Sequence, residues 1–366
     1  MRRLGRSPPT VPALIQLPDG TYTSSLRETA ETLLTHHIRT DDPSTDTPWH
    51  LNLRAAISDF TTLGENSTPP DDEELVAHLR RCKFKKAPGP DGITAEILLP
   101  GKPRLLPHLL SLFRECLSQG VFPRCWKRGT LRLIPKSTLL DPSLAASYRP
   151  LTLLSLLGKT LERVMAERLN AHVDTVGLIS VRQFGFRPGR GAADALATLR
   201  SRFEASTAPY VTAVFLDVRS AFDTAWWPLI LERFRTTGLA RDVYRLLCSY
   251  LEDRLIQFTF HGVTLERLLT LGCPQGSILG PLLWNVLINP LLDLPLPPNV
   301  YVQAYCDDIV LLVEARTRDD LQLAVNASLD LVSTFCASSR LQLSPIKTKA
   351  LHFRSRSIRN PAIRLS

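Results

Sequence analysis

The stretch Gln303–Leu312, QAYCDDIVLL, decides how the rest of the chain is read. Apolar residues flank an aspartate pair, so 301–313 (YVQAYCDDIVLLV) predicts two strands meeting at a tight turn on Asp307 and Asp308. Aspartate is a common turn residue, and a solvated Asp-Asp turn needs no special role. Adjacent carboxylates in an apolar setting, however, repel each other and lose hydration. Asp217 shifts the balance, because it closes a second apolar, β-branched run, 208–217 (APYVTAVFLD). If the two strands lie side by side, three carboxylates meet at one sheet edge. Divalent cations neutralise such a cluster, and Mg²⁺ held by a few carboxylates and substrate phosphates serves phosphoryl transfer. The expected geometry has Asp217 and Asp307 on adjacent strands and Asp308 at the turn.

The chain has 366 residues, enough for two or three subdomains, and its 44% hydrophobic and 22% charged composition is that of a globular protein. A net charge of +9 favours a polyanionic partner without specifying one. Seven scattered cysteines, with no CxxC and no Cys/His cluster at zinc spacing, suit free thiols in a reducing compartment. The basic N-terminus lacks the apolar core of a signal peptide, and 277–292 (SILGPLLWNVLINPLL) is too short and too interrupted to span a bilayer, so no membrane partner is expected.

Strands and helices alternate without the rhythm of a doubly wound sheet, which predicts an α+β fold. Two polar, turn-rich stretches, 40–50 (TDDPSTDTPWH) and 64–74 (GENSTPPDDEE), read as linkers. Helices are predicted over 71–83, 156–173, 226–238, 242–254 and 320–339, and a helix interrupted by proline over 280–292. A strand ends near Lys136, and 255–271 alternates like a hairpin around His261 and Gly262. The tetrapeptide LGKT resembles a phosphate-binding loop only superficially, since Leu153 stands where the first glycine is required.

Eight blocks occur in an order and spacing that resemble a reverse transcriptase. FLDVRSAFD (215–223), GCPQGSILGPLLWN (272–285) and YCDDIVLL (305–312) are similar to motifs A, B and C, and LQLSPIKTKALHF (341–353) to motif D. KAPGPDGI, RLIPK, SYRPLTLLSLLGKTLERVMAERL and QFGFRPGRGAADAL resemble the early blocks of the non-LTR (LINE-type) retrotransposon branch, with jockey-type elements nearest in pattern. The resemblance covers about residues 80 to 355. It implies right-hand fingers and palm, an antiparallel palm sheet flanked by helices, and a thumb that is absent. The implied division is 1–70 as extension and linker, 71–205 as fingers and 206–366 as palm.

The same resemblance implies RNA-directed DNA polymerisation, with an RNA template, a DNA primer, dNTPs and two Mg²⁺ ions (or Mn²⁺). Asp217, Asp307 and Asp308 would hold metal, helped by the Val218 carbonyl. Phe222 would stand under the sugar of the incoming nucleotide and exclude a 2′-hydroxyl, whereas a lone Phe after a strand is ordinarily core. Gln275 would contact the nascent pair or nucleotide, although an amide at a turn is also a plain surface feature. Arg149 and Lys136 supply cations for a triphosphate, with Arg149 preferred because Lys136 also reads as a solvated strand end. Lys347, favoured over Lys349 by its place in the motif, would protonate the leaving pyrophosphate. Asp223 reads as structural or capping. Arg187 and Arg190 are candidates for phosphate contact, with Phe184 and Phe186 either stacking or core, and 83–90 (KFKKAPGP) forms a basic loop.

Two departures stand out. Cys306 precedes the Asp pair where this branch more often has alanine. No endonuclease, primer-gripping hairpin or helical thumb is recognisable in the sequence, so a rival reading is a truncated remnant that binds metal and nucleic acid better than it polymerises. Nuclear action fits elements of this kind, and no clear targeting signal is visible.

Overall fold

A computed structural model describes residues 11–354, so expectations resting on residues 1–10 and 355–366 lie outside the described residues. The fold is α+β. The elements follow local chemistry closely. Helix α1 (Leu26–His37) starts at Ser25, whose hydroxyl accepts the Glu28 amide, and α2 (Pro48–Ala56) starts at Thr47 with proline in its first position. The stretch 40–50 therefore holds a helix start rather than only a linker, because its Thr and Pro act as cap and first turn. Helix α3 (Asp72–Arg80) is capped by Asp71 and carries three acids in its first turn, and α4 (Ala95–Leu98) is a single turn. Helix α5 (Lys102–Gln119) ends on Gly120, whose φ of 66° is the left-handed conformation of a helix stop.

Strands β1 (Arg128–Pro135) and β2 (Tyr148–Leu154) form a hairpin, followed by α6 (Leu156–Val176) and α7 (Ala192–Ala205). Then come β3 (Tyr210–Asp217), α8 (Trp227–Thr236), α9 (Arg241–Leu251), β4 (Arg254–Phe260) and β5 (Val263–Leu269). Helix α10 (Gly280–Leu292) runs on through Pro290, which lies so near its end that little of the backbone ladder is lost. Strands β6 (Val300–Tyr305) and β7 (Asp308–Ala315), α11 (Arg318–Ser338) and β8 (Lys349–Arg354) complete the described chain.

These elements divide into two compact units. Unit 1 takes the chain up to Thr45, then Leu63–Arg168 and Gly238–Gly280. Its sheet has the order β2-β1-β4-β5, with β1 and β4 parallel and the other pairs antiparallel. Phe113, Phe122, Trp126 and Tyr250 meet edge to face at ring distances of 5.1–6.2 Å and fill its helical core.

Unit 2 takes Asp46–Thr62, Leu169–Thr237 and the chain from Pro281 onward. Its sheet, β6-β7-β3-β8, is antiparallel throughout. Val211, Ala213, Val310 and Leu312 form a buried patch covered by Leu199, Phe203, Ala208 and Tyr301. The buried stripe Leu321, Val325, Leu329 and Val332 is the inner side of α11, which packs against β7. Residues 46–62 belong to this unit for a definite reason. The Asp46 carboxylate takes the guanidinium of Arg54 at 2.6 Å and that of Arg340, and both guanidinium groups lie over the fully buried Trp226 ring.

No helix among the described residues is long and apolar enough to cross a membrane. Leu311 is wholly buried at the centre of the unit 2 sheet, paired with Val214 on one side and Val302 on the other. Leu311→Ala is expected to lower stability by about 3 kcal/mol through lost burial plus a cavity, measured as a shift of the urea unfolding midpoint at constant m value.

Candidate active site

The register of the unit 2 sheet sets the carboxylates. Asp217, the last residue of β3, lies directly opposite Asp308, the first residue of β7. Directly opposed residues in an antiparallel pair carry Cβ atoms about 5 Å apart on the same face. Asp307 occupies the two-residue turn with Cys306, between the pair Tyr305 and Asp308. The sequence reading had the two aspartates the other way round. The pairing is decided by the turn, which takes Cys306 and Asp307 and leaves Asp308 in the ladder. Burial raises the Asp307 pKa, and the neighbouring Asp308 and Asp217 charges add to it. All three carboxylates thus converge on one edge.

The turn is strained and braced. Cys306 has φ 60°, a left-handed conformation that non-glycine residues avoid. The Gln183 side chain grips it at both ends. Its Nε2 donates to the Cys306 carbonyl at 3.2 Å, and its Oε1 accepts the Cys306 amide at 3.2 Å and the Gly185 amide at 2.8 Å. Trp284 Nε1 donates to the same Cys306 carbonyl at 3.0 Å, and Asn285 Nδ2 donates to the Gly185 carbonyl at 3.0 Å. Gly185 has no room for a side chain, since a Cβ there would lie 2.0 Å from the Cys306 nitrogen. Burial, with the neighbouring carboxylates adding, pushes the Cys306 thiol up to about 11, so it stays protonated at neutral pH.

Beyond β3 the chain is held from the other side. The Asp217 carbonyl accepts the Ser344 amide at 2.8 Å, and buried Val218 bridges to Leu343. The same segment delivers Lys347, whose Nζ lies 3.2 Å from Asp217 Oδ2 and 3.4 Å from Oδ1. Phe222 follows in a short 3-10 turn, Ala221–Thr224, which also contains Asp223. Its ring rests on Trp284 at 5.4 Å and meets the edge of Phe186 at 5.6 Å. A donor set made of carboxylate oxygens, with one half-solvated ammonium beside it, suits a hard divalent cation.

The remaining candidates belong to unit 1. Arg149 projects from the exposed face of β2, and its guanidinium makes no hydrogen bond or ion pair among the described residues. Lys136 lies just past β1 and donates from Nζ to the Ala146 carbonyl at 2.8 Å. Gln275 sits in the loop before α10, with its carbonyl accepting the Thr152 amide at 2.8 Å. In unit 2, Arg187 and Arg190 are turned inward, onto the carbonyls of Ile179 and Ser180 and of Val181 respectively, and Arg190 also covers the Phe184 ring at 5.5 Å. Gln183, Gly185, Trp284 and Asn285, which brace the turn of the candidate site, are the residues that sequence reasoning missed. All four fall in blocks singled out above, where attention went to charge and aromaticity rather than to a buried amide.

A second acidic group lies in unit 1, where His78 Nε2 stands 3.2 Å from Glu167 and 3.6 Å from Glu74. There Arg168 already binds Glu74 at 2.6 Å and supplies the countercharge.

Comparison with known proteins places these features in a family. Residues 134–363 match the reverse transcriptase (RNA-dependent DNA polymerase) family. The putative 115 kDa protein in type-1 retrotransposable element R1DM of Drosophila melanogaster is 32% identical over 330 residues, covering 87% of this chain and 32% of that protein. The probable RNA-directed DNA polymerase from transposon BS of the same organism is 31% identical over 75% of this chain and 31% of its own length. The RNA-directed DNA polymerase from mobile element jockey, also from D. melanogaster, is 28% identical over 80% of this chain and 33% of its own length. The chain spans about a third of the length of the curated relatives it matches.

The brace on Cys306 generates a test. Gln183→Leu keeps the volume and removes the hydrogen bonds on both sides of the turn, so the carboxylates lose their common frame. Mn²⁺ affinity, read by the loss of free-ion EPR signal, is expected to fall about tenfold or more. The melting temperature should change by only a few degrees.

Proposed function

The chain belongs to the reverse transcriptase family, in the non-LTR retrotransposon branch, and on that basis we propose that it copies RNA into DNA by adding deoxynucleotides to a primer 3′-hydroxyl. The observation that carries this reading is the convergence of Asp217, Asp307 and Asp308 on one sheet edge with Lys347 beside them.

The reaction joins the primer 3′-oxygen to the α-phosphorus of a dNTP and releases pyrophosphate. Catalysis of this kind is positioning plus charge stabilisation. Asp217, Asp307, Asp308 and the Val218 carbonyl would hold two Mg²⁺ ions, with Mn²⁺ as a substitute, which when bound favour the attacking alkoxide and the leaving oxygen. Lys347 is an exposed ammonium on a short tether, suited to giving its proton to the departing pyrophosphate. Phe222 acts as a steric stop for a 2′-hydroxyl, and the rings of Trp284 and Phe186 keep it from yielding. Arg149, with its fork unengaged, is the better triphosphate ligand. Lys136 already uses one of its three N–H donors on the Ala146 carbonyl. Gln275 contacts the nucleotide or nascent pair.

An RNA template and a DNA primer need a basic surface. Arg81, Lys83, Lys86, Lys159 and Arg163 line a hollow of about 380 Å³ in unit 1 over the β2 backbone. Burial lowers the Lys159 pKa, so an anion entering the hollow would favour its charged form. Phosphates of a nucleic-acid backbone fit this surface.

Three measurements test the reading. In RNA-templated extension of a DNA primer with Mg²⁺, Asp307→Asn is expected to cut the rate on the order of 10³-fold. An unchanged rate would refute the metal assignment. Phe222→Ala should lower the preference for dNTPs over rNTPs by about 10–100-fold, and an unaltered preference would remove the gate role. Replacing Lys83 and Lys86 with Glu should weaken RNA binding and reduce the slope of log K against log salt by about 1–2. A slope equal to that of the parent protein would place the phosphates elsewhere.

A further inference from the structure

Glu162 is a carboxylate at 1% exposure in the middle of α6. Burial of such a group needs full hydrogen bonding. Its hydrogen-bond partners among the described residues come from one short segment. Its Oε2 accepts the Ser277 hydroxyl at 2.8 Å and the Ile278 amide at 2.6 Å, with the Leu279 amide at 3.4 Å. These are the donors that precede and open α10, where a negative charge also meets the positive end of the helix dipole. Ser277 Oγ in turn accepts the amides of Leu279 and Gly280 at 3.0 and 3.2 Å and pairs with the Tyr250 hydroxyl at 2.8 Å. Burial, together with the Glu162 charge, raises the Tyr250 pKa, so its phenol stays protonated.

The loop is also pinned upstream. The Gln275 carbonyl accepts the Thr152 amide, and Gly276, at φ 120°, passes so close to β2 that a Cβ would lie 2.7 Å from the Thr152 carbonyl oxygen. Gln275 is thus suspended between a strand edge and a buried charge only two residues further on. Neither Glu162 nor the residues it grips has a role in the reading above.

We propose that Glu162 is the positioning residue of the loop 274–280, fixing where Gln275 presents its amide to the incoming nucleotide or nascent pair. The proposal rests on the assignment of Gln275 made under Proposed function. Its physical basis is a charge-assisted hold on neutral donors. Glu162→Gln keeps the shape and loses the charge, and Glu162→Ala leaves the donors without their acceptor.

The test joins a double-mutant cycle with amide exchange. Glu162→Gln is expected to raise the dNTP KM about tenfold with kcat changed less than about threefold. In a Gln275→Ala background the same change should add less than about twofold, because Glu162 acts through that side chain. Amide exchange at Ile278 should accelerate about tenfold in Glu162→Ala, and Ser277→Ala provides a milder variant should that protein fold poorly. Equal KM increments in both backgrounds, or unchanged exchange at Ile278, would overturn the proposal. A normal dNTP KM in Gln275→Ala alone would instead overturn the assignment of Gln275, while the exchange result would still report on the Glu162 hold. Where turnover is too slow to time, the cycle is read as dNTP affinity of the protein–primer–template complex.

Discussion

Mutual repulsion of Asp217, Asp307 and Asp308 is the constraint around which unit 2 is arranged. Like charges opposed across a strand pair destabilise it, and partial burial of Asp307 adds to the cost. The sheet offsets this with apolar pairing along β3 and β7, where nearly every residue between the two ends is buried. The acidic edge is tolerated because the rest of the hairpin holds its register. A one-residue slip would carry both the apolar set and the aspartates to the wrong face.

Three of the seven described non-glycine residues with positive φ lie at the same place. Cys306, Phe186 and Ser220 all have positive φ, at 60°, 57° and 52°, although none is glycine. Each sits beside a candidate residue: Cys306 next to Asp307, Phe186 against the Phe222 ring, and Ser220 two positions before Phe222. Such conformations cost about 1–3 kcal/mol each and persist only where the surroundings over-determine them. Here the surroundings are identifiable. The Gln183 amide, the Trp284 indole and the absence of a side chain at Gly185 fix Cys306 from separate directions.

Much of this was legible in the sequence, for reasons that differ from residue to residue. The strand ending at Asp217 and the one starting at Asp308 announce themselves by β-branched runs, and the motif order supplies which strands are neighbours. The exchange of Asp307 and Asp308 between turn and ladder was not legible, because a two-residue turn can be placed one step either way without changing the composition. Gln183 was hidden by chemistry. A polar amide beside phenylalanines and arginines looks like surface, and only the fold shows it satisfying a turn 123 positions away. Arg187 and Arg190 stood out by charge alone, and their donation to nearby carbonyls is a use of the guanidinium that composition does not show. The segment around Asp46 read as linker because caps and linkers share Thr, Asp and Pro.

Lys347 shows how a weak contact serves such a site. Its ion pair with Asp217 has side-chain exposures of 68% and 30%, and a pair this open to solvent is worth roughly 0–1 kcal/mol. The tether is short but not rigid, since Lys347 follows a turn closed by its own amide on the Ser344 carbonyl at 3.2 Å. That turn is tied to β3 through Ser344 and the Asp217 carbonyl, so the backbone beneath Lys347 moves with the carboxylates. The side chain is therefore fixed in origin and free at its tip. A buried, bidentate cation such as arginine would hold Asp217 too firmly for a divalent ion to compete, and it could not give up a proton near neutral pH. An exposed lysine offsets the Asp217 charge without closing the cluster, as the general-acid role proposed above for Lys347 would require.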